Sequence, residues 1–416
     1  MTLRIATNSH RIQLIGELDL QEFRRVLATM YALTKKQGYQ ELLLDFAECT
    51  YVAPGAMAAV VAEALRLRTD GIDTTVMLPA DHRLRKLFMN AGWAHFLEPT
   101  RYEESRFVGF THVPLSQFGS STEQGALVNN VMDTLLKSTT RFAREDFAAV
   151  EWTMNELADN VLNHSQSPVG GLVHLNNFAD KRRVEFIVAD PGVGIPRTLK
   201  EAIASIRSDS DALEQAIREG VTRSSAGQGN GLYGSYRIAE SSGGYFYIHS
   251  GYASLEASRG YLKIFSEAIP YAGTLVISGM DYSRPNVLAN ALQFGGKAYT
   301  PSDYIELKYE MDAAGVIAFD LAAEASSFGS RDAGSPVRMK LFNLYRVAKG
   351  LKAIVINVTE VPLVSSSFAD EIFGKLFLEL GPMEFMRAIR IEGANPTVQE
   401  LINRAILQRS RGDIGE

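Results

Sequence analysis

Residues 152–165 read WTMNELADNVLNHS. Val150, Met154, Leu157 and Val161 recur at spacings of four, three and four, the apolar stripe of an amphipathic helix. Glu156, Asn160 and Asn163 keep the same rhythm one residue out of phase, so a carboxylate and two carboxamides line up on the neighbouring face. A solvated helix face ordinarily carries Lys and Glu. A Glu-x-x-x-Asn pair beside a buried stripe points instead to a polar site at the edge of a core. Taken alone, the stretch reads equally well as a helix with scattered polar positions.

Two later segments break that tie. Residues 183–195, RVEFIVADPGVGI, alternate as a strand through Val184, Phe186 and Val188, which ends at Asp190 and breaks at Gly192 and Gly194. Residues 227–244, GQGNGLYGSYRIAESSGG, form a glycine-rich loop running into a helix that stops at a glycine pair. Such a loop lets backbone N–H groups and a helix N-terminus approach phosphate oxygens. In this order, Glu-x-x-x-Asn, Asp-x-Gly-x-Gly and Gly-x-Gly-x-Gly-Leu resemble the boxes of the GHKL superfamily. That is the nucleotide fold shared by gyrase, the heat-shock chaperone ATPase, histidine kinases and MutL. ELADN matches its first box, DPGVGI its second and GQGNGLYG its third, and Ala272-Gly273-Thr274 before the strand-like LVI fits its last Gly-Thr element.

The resemblance assigns roles residue by residue. Asp190 accepts a hydrogen bond from the adenine amino group, and Gly192 and Gly194 leave room for the base and for a turn that a Cβ would obstruct. Asn160 offers an amide oxygen to Mg²⁺, a hard cation that prefers oxygen ligands. Gly227, Gly229, Gly231 and Gly234 bring backbone donors to the phosphates. Arg223, flanked by Thr222 and Ser224 in AIREGVTRSS, resembles the polar run before the third box of histidine kinases and is a candidate phosphate contact. Glu156 stands where the ATP-hydrolysing members and the anti-sigma kinases keep their general base, and where many histidine kinases have Asn. It lies one helical turn before Asn160, about 6 Å away, within reach of a water or hydroxyl near a γ-phosphate. A purely structural Glu at this spacing is the alternative.

Competing motifs are weaker. A histidine kinase needs a phosphoaccepting His on a helix before the nucleotide domain, and residues 101–150 offer only His112, beside Pro114; His164 reads as part of a helix end. Gly229, Gly231 and Gly234 spell a literal Gly-x-G-x-x-Gly, yet it follows the polar loop EGVTRSSAGQ rather than a first strand, so a dinucleotide fold is not indicated. The phosphate-loop signature Gly-x-x-x-x-Gly-Lys-Ser/Thr does not occur.

Length and composition bound the rest. The chain of 416 residues has room for two or three domains, and 46% hydrophobic and 22% charged residues are ordinary for a globular protein. A net charge of −6 and a pI near 5.8 give no basic excess for a general nucleic-acid binder. A single cysteine, Cys49, excludes an intramolecular disulfide and a cysteine cluster. No apolar run approaches the roughly 18 residues of a membrane helix and no signal-peptide core opens the chain, so a cytoplasmic protein is expected.

The expected fold class is α/β (α+β), with a central GHKL sandwich between two small STAS-type α/β domains. Residues 1–100 alternate strands and helices, and GELD, LLLDFAECTYV, LRLRTDGIDTTVMLP and LRKLFMNAGWAHFL resemble a STAS domain, the fold of anti-sigma-factor antagonists. That family carries Asp-Ser-Ser-Gly after its central strand. Here Ala53, Pro54, Gly55 and Ala56 occupy the place, so no hydroxyl is available for its phospho-switch and a scaffold or docking role remains. Residues 101–122 read as a polar linker, 123–282 as the nucleotide module and 283–416 as a second STAS-like unit. Its strand AIVINVTEVPLV, residues 353–364, echoes residues 42–52. At the phosphoacceptor place it has Ser365, Ser366 and Ser367, which also suit a helix cap, with Asp370 or Glu371 completing a capping box.

The leading reading is a Mg-ATP-binding regulator, an ATPase in which nucleotide binding and hydrolysis switch the flanking domains. The alternatives are an anti-sigma-type serine protein kinase in a partner-switching pathway, or an ATP-dependent interaction module without turnover. A protein partner, STAS-type or other, is expected, and a homo-oligomer is compatible; membrane and nucleic acid are not indicated. The sequence does not specify the partner.

Overall fold

Runs rich in Ile, Leu and Val alternate with helices along the whole chain, which folds as an α/β protein. The computed structural model describes residues 2–107, 109, 111–138, 142–221, 230–284, 287–294, 297–299, 301–310, 315–348 and 350–412. The chain divides into two compact units, Met1–Val131 with Ala149–Thr300, and Met132–Ala148 with Pro301–Glu416. No helix among the described residues is long and apolar enough to cross a membrane.

The first unit opens with β1 (Arg4–Asn8), β2 (Arg11–Leu18), α1 (Phe23–Tyr31), β3 (Glu41–Val52), α2 (Pro54–Thr69), β4 (Asp73–Met77), α3 (His82–Asn90) and α4 (Trp93–Leu97). The strands form one sheet in the order β1-β2-β3-β4, with β2, β3 and β4 parallel. The chain continues through β5 (His112–Phe118), α5 (Ser121–Lys137), α6 (Arg144–His164), β6 (Gly171–Phe178), β7 (Arg183–Asp190), α7 (Ile195–Ala202) and α8 (Asp209–Ala216). Then follow α9 (Gly231–Ser242), the long hairpin β8 (Tyr245–Ser258) and β9 (Tyr261–Asp281), and the short α10 (Val287–Ala291), β10 (Gln293–Phe294) and β11 (Lys297–Ala298). A second, antiparallel sheet runs β5-β6-β7-β9-β8.

Inside the polar stretch 101–122 the structure differs from a plain linker, because β5 pairs with the edge of this second sheet. Val113, Leu115 and Phe118 are buried, but Pro114 and a register shift between Val113 and Ser116 spoil the alternation that would announce a strand.

Strand β7 and the second half of β9, from Leu275 on, are buried on both faces. Ile187, Ala189, Leu275 and Ile277 face one way and join the core of the N-terminal sheet, with α2 packed between the two sheets. That position explains α2 itself: from Ala56 to Leu65 only Glu63 interrupts a run of Ala, Met, Val and Leu, and a helix apolar all round is a buried helix. Pro54 in its first turn fixes φ where the missing N–H costs nothing. Small residues let it come close; a Cβ on Gly55 would stand 2.5 Å from Ile277 Cδ1.

One polar contact fastens the same junction. The ladder between β8 and β9 slips at Ser250–Gly251 and again at Gly251–Ala253. Arg24 of α1, only 3% exposed, donates to Gly251 O at 2.7 Å, Ile269 O at 2.8 Å and Ala253 O at 2.8 Å. Burial lowers its pKa, and Glu267 opposes the shift.

The second unit carries α11 (Tyr304–Tyr309), β12 (Ile317–Asp320), α12 (Leu321–Glu324), α13 (Arg331–Val347), β13 (Ile354–Asn357), α14 (Ser366–Ala369), α15 (Lys375–Leu380), α16 (Pro382–Ala388), β14 (Ile389–Glu392) and α17 (Pro396–Gly412). Its three strands are parallel in the order β12-β13-β14, so β13, like β3, is a central strand with a parallel neighbour on each side. The end of α5 and the start of α6 belong to this unit. Lys340, fully buried, bonds Asp133 and Glu324, while Arg144 donates to Asp303 at 2.7 Å and Glu310 at 2.9 Å. Ser365 caps α14, accepting from Phe368 N at 3.0 Å. Asp370 and Glu371 do not complete a capping box. They lie beyond the third helical residue and are held by Arg331, with Arg409 on Asp370 and Arg338 and Lys375 on Glu371.

Arg24→Ala removes a buried guanidinium that donates to three backbone carbonyls, so stability should fall by about 3 kcal/mol. Denaturant unfolding of the full chain checks this; an unchanged midpoint would show that the three bonds contribute nothing net.

Candidate functional site

Helix α6 supplies one wall of the site. Val150, Met154, Leu157 and Val161 are all buried, which turns Trp152, Glu156 and Asn160 toward a cavity of about 470 Å³ beside it. Asp190, Thr274, Val188, Val276 and Leu199 line the other end of that cavity. The strand register makes this inevitable: Asp190 pairs with Thr274 and Val188 with Val276, so all four share the face opposite Ile187 and Ile277.

The loop after β7 folds back on the end of α6. Val193 N donates to Ser165 O at 2.8 Å, and a Cβ on Gly192 would lie 2.1 Å from that same oxygen. Only glycine fits there. Gly194 has φ +79° and opens α7, whose Ile195 N donates to Ser250 Oγ at 3.0 Å. Asp190 is 3% exposed; its Oδ1 accepts from Gly192 N at 2.8 Å, and Tyr271 OH donates to its carbonyl at 3.0 Å. Burial pushes the carboxyl up to about 7, with the Gly192 and Thr274 amides pulling the other way.

At the opposite end stands the start of α9. Asn230, the N-cap residue, turns its side chain away to accept from Gly220 N at 3.0 Å, so among the described residues no side-chain cap is seen at this helix start. Asn230, Gly231 and Leu232 line the cavity, and uncapped N–H groups at a helix start are a ready anion site. A Cβ on Gly231 would come 2.2 Å from Glu156 Oε2, so the absence of a side chain lets the helix start approach the acid. Burial raises the Glu156 pKa, and the neighbouring Asp159 adds to it.

The structure thus brings Glu156, Asn160, Asp190, Gly194, Gly231 and Thr274 to one cavity. Gly192 shapes the turn behind it. Gly234 serves packing: its N–H already donates to Asn230 O at 2.7 Å and its open side meets the Trp152 ring. Arg223, Gly227 and Gly229 lie outside the described residues. Ser365, Ser366 and Ser367 belong to the second unit, where Ser366 is exposed at the start of α14. His164 lines the cavity at the end of α6, whereas His112 stacks on Phe107 with its Nε2 shut off from solvent. Sequence reasoning missed Trp152, Leu199 and Tyr299 as lining residues. Trp152 and Leu199 sit on helices whose apolar faces were legible; nothing local marks Tyr299.

A buried carboxylate at a strand end, an amide and an acid on one helix, and an uncapped helix start around one cavity define a nucleotide-binding α/β sandwich. Residues 145–265 match the histidine kinase-, DNA gyrase B- and HSP90-like ATPase family, and residues 341–399 match a STAS-like domain of unknown function. The chain therefore carries a GHKL ATPase domain, which implies ATP binding, followed by a STAS-like domain. A comparison with curated proteins gave no match.

Folding raises the Asp190 pKa from roughly 4 to about 7, so between those values the folded chain holds a proton that the unfolded chain has released. Its contribution to stability is full below about pH 4 and is lost as pH rises through 7. In nucleotide-free protein, Asp190→Asn should therefore gain on the parent from pH 5 to pH 8, with a slope of at most about 1.4 kcal/mol per pH unit. Denaturant unfolding across this range tests it; parallel pH profiles would mean that Asp190 titrates normally.

Proposed function

We propose that this chain is a Mg-ATP-dependent regulator whose central domain binds and hydrolyses ATP and thereby switches flanking STAS-type domains. The observation that carries the proposal is the approach of Gly231, at the uncapped start of α9, to Glu156 of α6. It sets an anion-binding helix end against an acid that can act on a nucleophile. In this reading Asp190 and Thr274 hold the adenine between the apolar walls of Val188, Val276 and Leu199. The amides at the start of α9 hold phosphate oxygens, and Asn160 Oδ1 is the protein's ligand to Mg²⁺. The metal, when bound, neutralises phosphate charge. Glu156, with its pKa raised by burial, accepts a proton from an attacking water.

The N-terminal α/β segment is proposed to be a STAS-type scaffold. Ala53–Ala56 offer no hydroxyl, and the first turn of α2 is packed against Ile277 rather than open to a kinase. A second reading, serine kinase, is favoured by one observation: Ser366 is exposed at a helix start in the STAS-like unit.

Glu156→Gln should retain Mg-ATP affinity within about threefold yet slow phosphate release roughly 10²-fold, the usual contribution of a positioned base. Calorimetry and single-turnover release of labelled phosphate measure the two quantities. Loss of both together would make Glu156 structural. Phosphate appearing on Ser366 by mass spectrometry, and vanishing in Glu156→Gln, would replace the ATPase reading with the kinase one.

Asp190→Asn should weaken ATP binding at least tenfold at pH 8, because an amide can turn its NH₂ toward the adenine amino group, a loss of about 1.4 kcal/mol or more. Unchanged affinity in the folded variant would remove Asp190 from the site.

A further inference from the structure

Tyr299 lies well beyond residue 265, where the ATPase-family match ends, yet it lines the same cavity as Glu156 and Gly231. The described residues of the segment that brings it there are tied together at Leu292. After β9 the chain forms α10, β10 and β11, with β10 and β11 paired antiparallel, and returns to the cavity at Tyr299. Tyr299 N donates to Leu292 O at 2.9 Å, and Leu292 is fully buried.

Leu292 also fixes which end of the cavity Tyr299 occupies. Its Cδ2 is 3.1 Å from the point where a Cβ on Gly234 would stand, and the Trp152 ring crowds that same point at 2.2 Å. Gly234 sits in the first turn of α9, and Trp152 precedes Glu156 by one turn of α6. Tyr299 is therefore at the end formed by Glu156 and the start of α9, not at the Asp190–Thr274 end. The residue is 49% exposed, so it borders the opening and is not sealed into the core.

We infer that the Tyr299 hydroxyl donates to the terminal phosphate of bound ATP, and that this residue lets the chain tell a triphosphate from a diphosphate. The inference rests on the nucleotide reading of the cavity. A phenol suits the position chemically. A Lys or Arg beside Glu156 would pair with the carboxylate and occupy the proposed base, whereas a neutral O–H donates to a phosphate oxygen and leaves that carboxylate free. The location suits it as well. The chain re-enters the second unit at Pro301, two residues on, so the contact with the third phosphate is made by the segment through which the chain passes toward its STAS-like domain. Adenine recognition and the helix-start amides serve ATP and ADP alike; Tyr299 acts on the difference between them.

The test is calorimetric titration of the full chain with Mg²⁺ and either a non-hydrolysable ATP analogue or ADP, for the parent, Tyr299→Phe and Tyr299→Ala. Tyr299→Phe keeps the ring and should fold as the parent does, which its melting curve verifies. Loss of one hydrogen bond to a charged oxygen should weaken the analogue about tenfold and leave ADP within about twofold. Tyr299→Ala should show the same split. Equal losses for both ligands, or no loss for either in a folded Phe variant, would overturn the assignment and make Tyr299 a wall of the cavity only. A parent chain that binds neither ligand would overturn the nucleotide reading itself, and this inference with it.

Discussion

Strands β7 and β9 must satisfy two environments at once, and the rest of the first unit depends on that constraint. Side chains alternate across a strand, so Ile187, Ala189, Leu275 and Ile277 go to an apolar core while Val188, Asp190, Thr274 and Val276 go to the cavity. A slip of one residue would send Asp190 into the packing around α2 and put Ala189 in the site. The N-terminal segment therefore does more than sit beside the ATPase fold. Its α2 closes the back of the sheet whose front forms the cavity, and Arg24 holds carbonyls of the β8–β9 hairpin that completes the sheet.

The front of the sheet gains its chemistry from two helices that meet at a glycine. Helix α6 brings the acid and the amide, and α9 brings a helix start that its N-cap side chain leaves uncapped. Neither makes a phosphate site alone. Gly231 lets them approach to a distance that any side chain would prevent. The same helix α6 begins at Arg144, bound to Asp303 and Glu310 in the second unit.

What was legible in the sequence was local and periodic. The stripe from Val150 to Val161, the alternation ending at Asp190 and the cap at Ser365 each follow from spacing and residue type, and each stands in the structure where the pattern puts it. What was not legible depends on distant partners. Pro114 and a bulge hid β5 inside a polar stretch. Gly234 looked like a phosphate donor from its motif, but its N–H is taken by Asn230 and its face by Trp152. Asp370 and Glu371 looked like capping acids, yet Arg331, Arg338 and Arg409 claim them from other helices and Lys375 from one turn further on. Arg24 and Tyr299 carry no local signal at all: the acceptors of Arg24 lie across the fold, at Gly251, Ala253 and Ile269, and Tyr299 shares a cavity with Glu156, which is far from it in sequence.

The central claim is that one cavity, between α6, the end of β7 and the start of α9, holds ATP. Hydrogen exchange of the full chain read by mass spectrometry, with and without saturating Mg-ATP, tests it directly. The account predicts slowed exchange in the peptides that cover residues 156–165, 190–200 and 230–236. The back of the sheet around α2, already buried, should change little. Protection confined to other segments, or none at nucleotide concentrations that saturate binding, would contradict it.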